Sequence, residues 1–158
     1  MVDARVVLLP DEGWDRQRLA AELVGLGLVA LLPDLPEVPA DLPPRLVDAR
    51  RIALTAIWLN DHQVPGPVVL VAHGDAARLL PALSLSQRSA HRLVTGYVIL
   101  DAPATPAPSL EWPDAPVWWV ASPGADAVVA EGALSARLRG FHVLEGVEQA
   151  AAVATAAS

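Results

Sequence analysis

Short apolar runs that do not alternate with polar residues recur along the chain, at residues 5–9, 28–32, 68–72, 96–100 and 117–121, with a weaker sixth at 141–144. A strand wetted on one face alternates apolar with polar, whereas a strand covered on both faces does not. These runs, rich in Val, Leu and Ile, therefore predict strands sandwiched between helices. The stretches between them supply the helices. Residues 14–24 gather Leu19, Leu23 and Val24 on one side, away from Arg16, Arg18 and Glu22, as a helix with one buried stripe does. Residues 44–62 open on Pro44, which suits a first helical turn, and carry Leu46, Ala49, Ala53 and Ile57. Residues 75–83 and 86–93 read as a broken helical pair, and 125–138 and 148–157 as Ala-rich helices. Strand–helix–strand order repeated in this way predicts an α/β fold: a doubly wound, mostly parallel six-stranded sheet with helices on both faces. Residues 101–116 hold Pro103, Pro106, Pro108, Pro113 and Pro116, too many for a long helix, and read as an extended surface connection. No internal repeat and no second domain is visible, so residues 1–158 read as a single domain.

Composition narrows the classes of function. Apolar residues make up 53% of the 158, but aromatics only 4%, so Ala, Val and Leu must fill most of the interior. The net charge is −7 and every one of the 11 basic residues is Arg. An acidic chain without a basic stripe argues against nucleic acid and against anionic membranes. The absence of Lys excludes a Schiff base and a P-loop. It also argues against a receiver-type Mg²⁺ site built on the acids at the strand ends, which needs a Lys at the end of a late strand. There is no Cys, hence no disulfide, thiolate chemistry or thiolate-bound zinc. No apolar run is long enough to span a bilayer, and the first residues lack the basic and apolar regions of a signal peptide. A cytoplasmic location is expected. The lack of Lys, with single Asn, Phe and Tyr residues, hints at a GC-rich bacterial genome.

The strand endings carry a more specific pattern. V-V-L-L-P-D-E-G-W-D-R-Q-R-L-A-A-E-L followed by L-V-A-L-L-P-D-L-P resembles the first part of an α/β-hydrolase, where a strand runs into the oxyanion loop and the next strand ends in P-D. V-V-L-V-A-H-G-D-A-A resembles the nucleophile elbow, Y-V-I-L-D-A-P the strand after it, and P-V-W-W-V-A-S-P-G-A-D-A-V-V the strand and turn that carry the acid. The resemblance extends over nearly the whole chain, without the family's first two antiparallel strands and without a lid. It implies a minimal, lidless α/β-hydrolase-like domain whose catalytic triad has degenerated. The elbow G-x-S-x-G reads here Ala72-His73-Gly74-Asp75-Ala76, which puts Gly74 at the nucleophile position. A register shifted by one residue would instead put Asp75 there, as in haloalkane dehalogenases. Asp126 stands at the acid position, but with its partners gone it reads rather as a helix N-cap. Gln149 stands where the family has its His, and an amide is no general base.

Pro10-Asp11-Glu12-Gly13 replaces the family's His-Gly in the oxyanion loop, and two carboxylates there oppose a developing oxyanion. The resemblance therefore implies a pseudoenzyme that binds a small apolar or carbonyl ligand or acts as a scaffold. The alternative is a repurposed acid/base enzyme, a cyclase, lyase or isomerase of secondary metabolism, working through Asp11, Glu12, His73 or Asp75. Ligands of open α/β sheets bind beyond the carboxyl ends of the strands at the switch point, so a crevice is expected at Pro10, Gly13, Gly74 and Ala76. No metal or cofactor is expected. His73 reads as structural, His62 and His91 as solvated helix ends, and His142 as packed. Asp34 and Asp101 end strands and need no catalytic explanation. Trp118 and Trp119 must face opposite sides of one strand. Trp112, in the Pro-rich segment with no lid above it, is expected to be exposed and to mark a homodimer interface.

Overall fold

The computed structural model describes residues 4–105 and 112–158. Six strands form one sheet: β1 (Arg5–Leu8), β2 (Ala30–Leu31), β3 (Val68–His73), β4 (Val94–Leu100), β5 (Val117–Ala121) and β6 (His142–Glu145). Their order is β2-β1-β3-β4-β5-β6, and every neighbouring pair is parallel. Five α-helices connect them: α1 (Arg16–Gly25), α2 (Pro44–Asp61), α3 (Leu80–Ser89), α4 (Ala127–Leu138) and α5 (Gln149–Ala157). The predicted doubly wound architecture is present, wholly parallel within the described residues.

The two faces are read off alternate residues of each strand. Val68, Leu70 and Ala72 of β3, with Tyr97, Ile99, Val117 and Trp119, bury one face against Leu59 of α2, Leu80 and Leu83 of α3, and Ala133 and Ala136 of α4. Val69 and Val71, with Val6, Leu8, Val98, Leu100 and Val120, bury the other against Leu19 and Leu23 of α1 and Ala152 and Val153 of α5. This double coverage is why the strands lack alternation. Trp119 is fully buried on the first face, while Trp118 packs on the second and stacks on His142 at 4.5 Å.

Small residues let the helices approach. A Cβ at Gly132 of α4 would overlap the Ala102 carbonyl oxygen and lie 3.0 Å from the carbonyl carbon of Pro103. Only glycine fits where a helix lies directly on backbone.

The broken pair differs from expectation. Residues 74–79 form a 3-10 helix that runs into α3 at Leu80, and residues 90–93 are turn and strand entry, not a second helix. The expected break at Ser84–Ser86 does not occur, because Ser86 donates back to the Leu83 carbonyl and Ser84 to Asp114. Trp112 is also a correction. Its ring packs edge-on against Tyr97 at 5.3 Å and Phe141 at 5.9 Å, with its indole nitrogen buried. That packing removes the exposed aromatic on which the homodimer expectation rested. Residues 106–111 of the Pro-rich connection lie outside the described residues.

Candidate functional site

The first three strands in space fix the geometry. β1 lies between β2 and β3, so the chain leaves β1 toward one side and β3 toward the other. The loops beyond them diverge and leave room at the carboxyl edge, as at any switch point. Two groups of residues occupy it.

The first group is a continuous polar path across the carboxyl ends. Asp11, just past β1, accepts a hydrogen bond from Nδ1 of His73, the last residue of β3, at 2.9 Å. Both side chains are about one-fifth exposed, at 17% and 21%. The His73 ring stacks on Trp14 at 5.1 Å and 10°. The indole N–H of Trp14 donates to Gln149 Oε1 at 3.2 Å, and Gln149 Nε2 donates to Asp101 at 3.2 Å. Asp101 also receives the Ser122 backbone N–H at 2.7 Å and its hydroxyl at 2.6 Å. The bond to Asp11 fixes the imidazole tautomer with its proton on Nδ1. His73 Nε2 has no hydrogen-bond partner among the described residues.

Gly74 follows His73 with a φ of +57°, and an added Cβ would lie 3.3 Å from Asp11 Oδ2. The left-handed conformation falls on Gly74, not on Asp75, which is exposed in the first turn of the 3-10 helix. The Asp11 carboxylate thus closes the gap between the β1 loop and the turn after β3.

The second group lines a cavity of about 470 Å³ on the α2 side of that carboxylate. Leu9 at the end of β1, Leu79 and Leu83 supply buried apolar walls, with Leu35–Val38 of the loop after β2 opposite them. Arg51, Ile52 and Thr55 of α2 close one side. Pro10, Asp11, Glu12 and Arg16 close another. Arg16 donates to the Leu8 carbonyl at 2.9 Å, and burial pulls its guanidinium below its ordinary pKa against the opposing charge of Asp34.

Of the expected crevice residues, Pro10 lines this cavity and Gly13, Gly74 and Ala76 do not. Gly13 is exposed in its turn, and Ala76 is 2% exposed because the 3-10 helix turns it into the core. Asp126 is the N-cap of α4, its carboxylate accepting from Val129 N–H at 3.0 Å. His62 and His91 are exposed, and His62 stacks on Trp58 at the end of α2. Reading the sequence missed Asp101 and Ser122 as the hub of the polar path. It missed Arg51 and Thr55 as well. Sequence alone pairs Arg51 with Asp48, three residues before it, and nothing in the chain order shows that Arg78 takes that carboxylate.

Solved structures share this fold. DphMB1 superposes with a TM-score of 0.61 at 14% identity, over 99% of this chain and 75% of that one. EstE5, in a crystal soaked with p-nitrophenyl butyrate, gives 0.57 at 14% identity over 92% and 66%. The chain has the α/β-hydrolase fold. An extracellular α/β-hydrolase from a Paenibacillus species, with similarity to a tobacco salicylic acid binding protein, matches at 18% identity and a TM-score of 0.49, over 65% of this chain. This chain spans 42% of the length of that hydrolase and about two thirds of EstE5. No protein-family model and no curated protein matches the sequence. Among the described residues no helix is long and apolar enough to cross a membrane.

By the resemblance, β3 is the strand that would lead into the elbow, and Gly74 after it has a φ of +57°. Gln149 opens α5 beyond β6, beside the ends of β4 and β5. Its amide bridges Trp14 to Asp101 from the place where the resemblance puts a histidine.

Proposed function

We propose that this chain is a non-hydrolytic α/β-hydrolase-fold domain that binds a small molecule at the carboxyl edge of its sheet. The observation that carries the reading is the pairing of Gly74 with the Asp11 carboxylate at the turn after β3. Residue 74 has no side chain to attack a carbonyl, and a carboxylate, not an oxyanion-stabilising donor, stands 3.3 Å from where its Cβ would be. An acyl transfer develops negative charge at such a place, and Asp11 would oppose it. Gln149 binds an indole N–H and a carboxylate at once and has no basic nitrogen to accept a hydroxyl proton. The test is hydrolysis of p-nitrophenyl butyrate by purified protein. No turnover above buffer is expected. Turnover abolished by substitution at Gly74 or Asp11 would overturn the reading.

One observation favours a second reading, a non-covalent acid/base enzyme. Asp11 and His73 form a carboxylate–imidazole pair at 2.9 Å with Nε2 unengaged, an arrangement that orients a general base. Such an enzyme would lose turnover on His73→Gln while retaining ligand binding. A purely binding domain has no turnover to lose.

A further inference from the structure

Arg51 is an anomaly in its surroundings. It is half-buried on α2 and lines the cavity, yet it has no ion pair or side-chain hydrogen bond among the described residues. Its nearest acid on the same helix, Asp48, is taken: both carboxylate oxygens are held by Arg78 at 2.8 Å. Thr55, one turn on, spends its hydroxyl on the Arg51 carbonyl at 2.8 Å. The other cavity cation, Arg16, is bonded to the Leu8 carbonyl. Three carboxylates also line the space, but they differ in position. Asp11 is engaged by His73, while Glu12 and Glu37 are exposed, where solvent and salt screen them. The remaining walls are apolar, contributed by Leu9, Leu35, Val38, Ile52, Leu79 and Leu83. A cavity of about 470 Å³ with apolar walls and one uncommitted, half-buried cation is the form of a small-ligand site.

We infer that this cavity binds a small apolar monocarboxylate, its carboxylate held by the forked guanidinium of Arg51 and its hydrocarbon part against Leu9, Leu79 and Leu83. Guanidinium presents paired donors in the plane of a carboxylate, which makes the contact both charged and directional. The inference rests on the binding reading above and names its ligand class. It places the ligand on the α2 side of Asp11, not over Gly74.

Three probes of equal chain length separate head-group chemistry from hydrophobic filling: hexanoate, hexanol and hexylamine. Each is titrated into the protein by calorimetry and by NMR that follows the Arg51 side-chain Nε–H and the Thr55 amide. Hexanoate is expected to bind most tightly and to shift both signals. Arg51→Gln should weaken hexanoate by about tenfold or more, the loss of a charge-assisted hydrogen bond, and leave hexanol unchanged. Because Arg51 has no partner to lose, the variant should unfold at the parent temperature. Arg51→Lys should retain part of the affinity and serves as a second variant. Arg50→Gln, an exposed neighbour on α2, should bind as the parent does. Equal hexanoate affinity in Arg51→Gln overturns the inference, as does tighter binding of hexylamine or binding of none of the three. The ester assay decides the other reading separately. Ester turnover together with Arg51-dependent hexanoate binding would sink the non-hydrolytic reading and keep the acid site.

Discussion

Replacing Gly74 with serine puts a hydroxyl where the resemblance places a hydrolase's nucleophile, and its cost follows from two features of the structure. The residue sits at φ +57°, and a side chain in the left-handed region costs about 1–2 kcal/mol. The new Cβ would also stand 3.3 Å from Asp11 Oδ2. That carboxylate must yield by a few tenths of an ångström against its bond to His73. Opposing both, the unfolded chain loses freedom when glycine is replaced, which returns about 0.4–1 kcal/mol. The net expectation is a destabilisation of about 1 kcal/mol, and for a domain of this size each kcal/mol lowers Tm by about 2–4 °C. Gly74→Ala carries the same Cβ without the hydroxyl and should fall by a similar amount. Denaturant and thermal unfolding of both variants measure the cost, and p-nitrophenyl butyrate is the substrate for the accompanying assay. If both variants are as stable as the parent, residue 74 does not occupy the left-handed turn. If Gly74→Ser hydrolyses the ester, a base other than Gln149 is within reach of the new hydroxyl.

Gly132→Ala should destabilise by about 3 kcal/mol or more, or prevent folding, because its methyl would overlap the Ala102 carbonyl; unchanged stability would mean that α4 does not lie on that backbone. Asp126→Ala should cost about 1 kcal/mol, as loss of an N-cap does, and leave hexanoate binding untouched; a change in binding would move Asp126 from the cap to the site. Burial, reinforced by the hydrogen bond to Asp114, raises the Tyr97 phenol well above its ordinary pKa. A raised folded-state pKa gives stability that is complete below about pH 10 and is lost above it, at up to about 1.4 kcal/mol per pH unit. Tyr97→Phe should therefore unfold with a flatter alkaline limb than the parent, measured by denaturant titration at stepped pH, and an identical limb would show that Tyr97 is not the group responsible.

The sheet was legible because its strands are buried on both faces, and such strands announce themselves by composition alone. All six apolar runs became strands, and both Trp118 and Trp119 took the opposite faces that a period of two dictates. Helix breaks were less legible. Ser84 and Ser86 look like helix interruptions, but their hydroxyls bond to Asp114 and to the Leu83 carbonyl, so the helix continues through them. Trp112 looked exposed because its segment is rich in Pro, and nothing local reveals that Tyr97 and Phe141 receive it. The turn at Gly74, with its positive φ, lies within one short stretch of sequence. The cavity could not be read in this way, since its walls come from the β1 loop with the start of α1, the β2 loop, α2, and the 3-10 turn with α3, which lie far apart in the sequence.

The wholly parallel sheet also sets the order in which the molecule can assemble. Tyr97 opposite Val117, Trp118 opposite His142 and Val69 opposite Gly96 are pairings across one intervening connection each. Arg5 opposite Val68 is not: β2 and α2 both lie between them in the chain. Contacts that close longer loops form more slowly, so β3 through β6 can pair before β1 is captured. The β1–β3 seam is then the latest to close, and Asp11, His73 and the cavity wall at Leu9 all lie along it. Amide exchange tests this order: β1 and the two-residue β2 beside it should be less protected than the β3–β4 pairing, and equal protection would refute it.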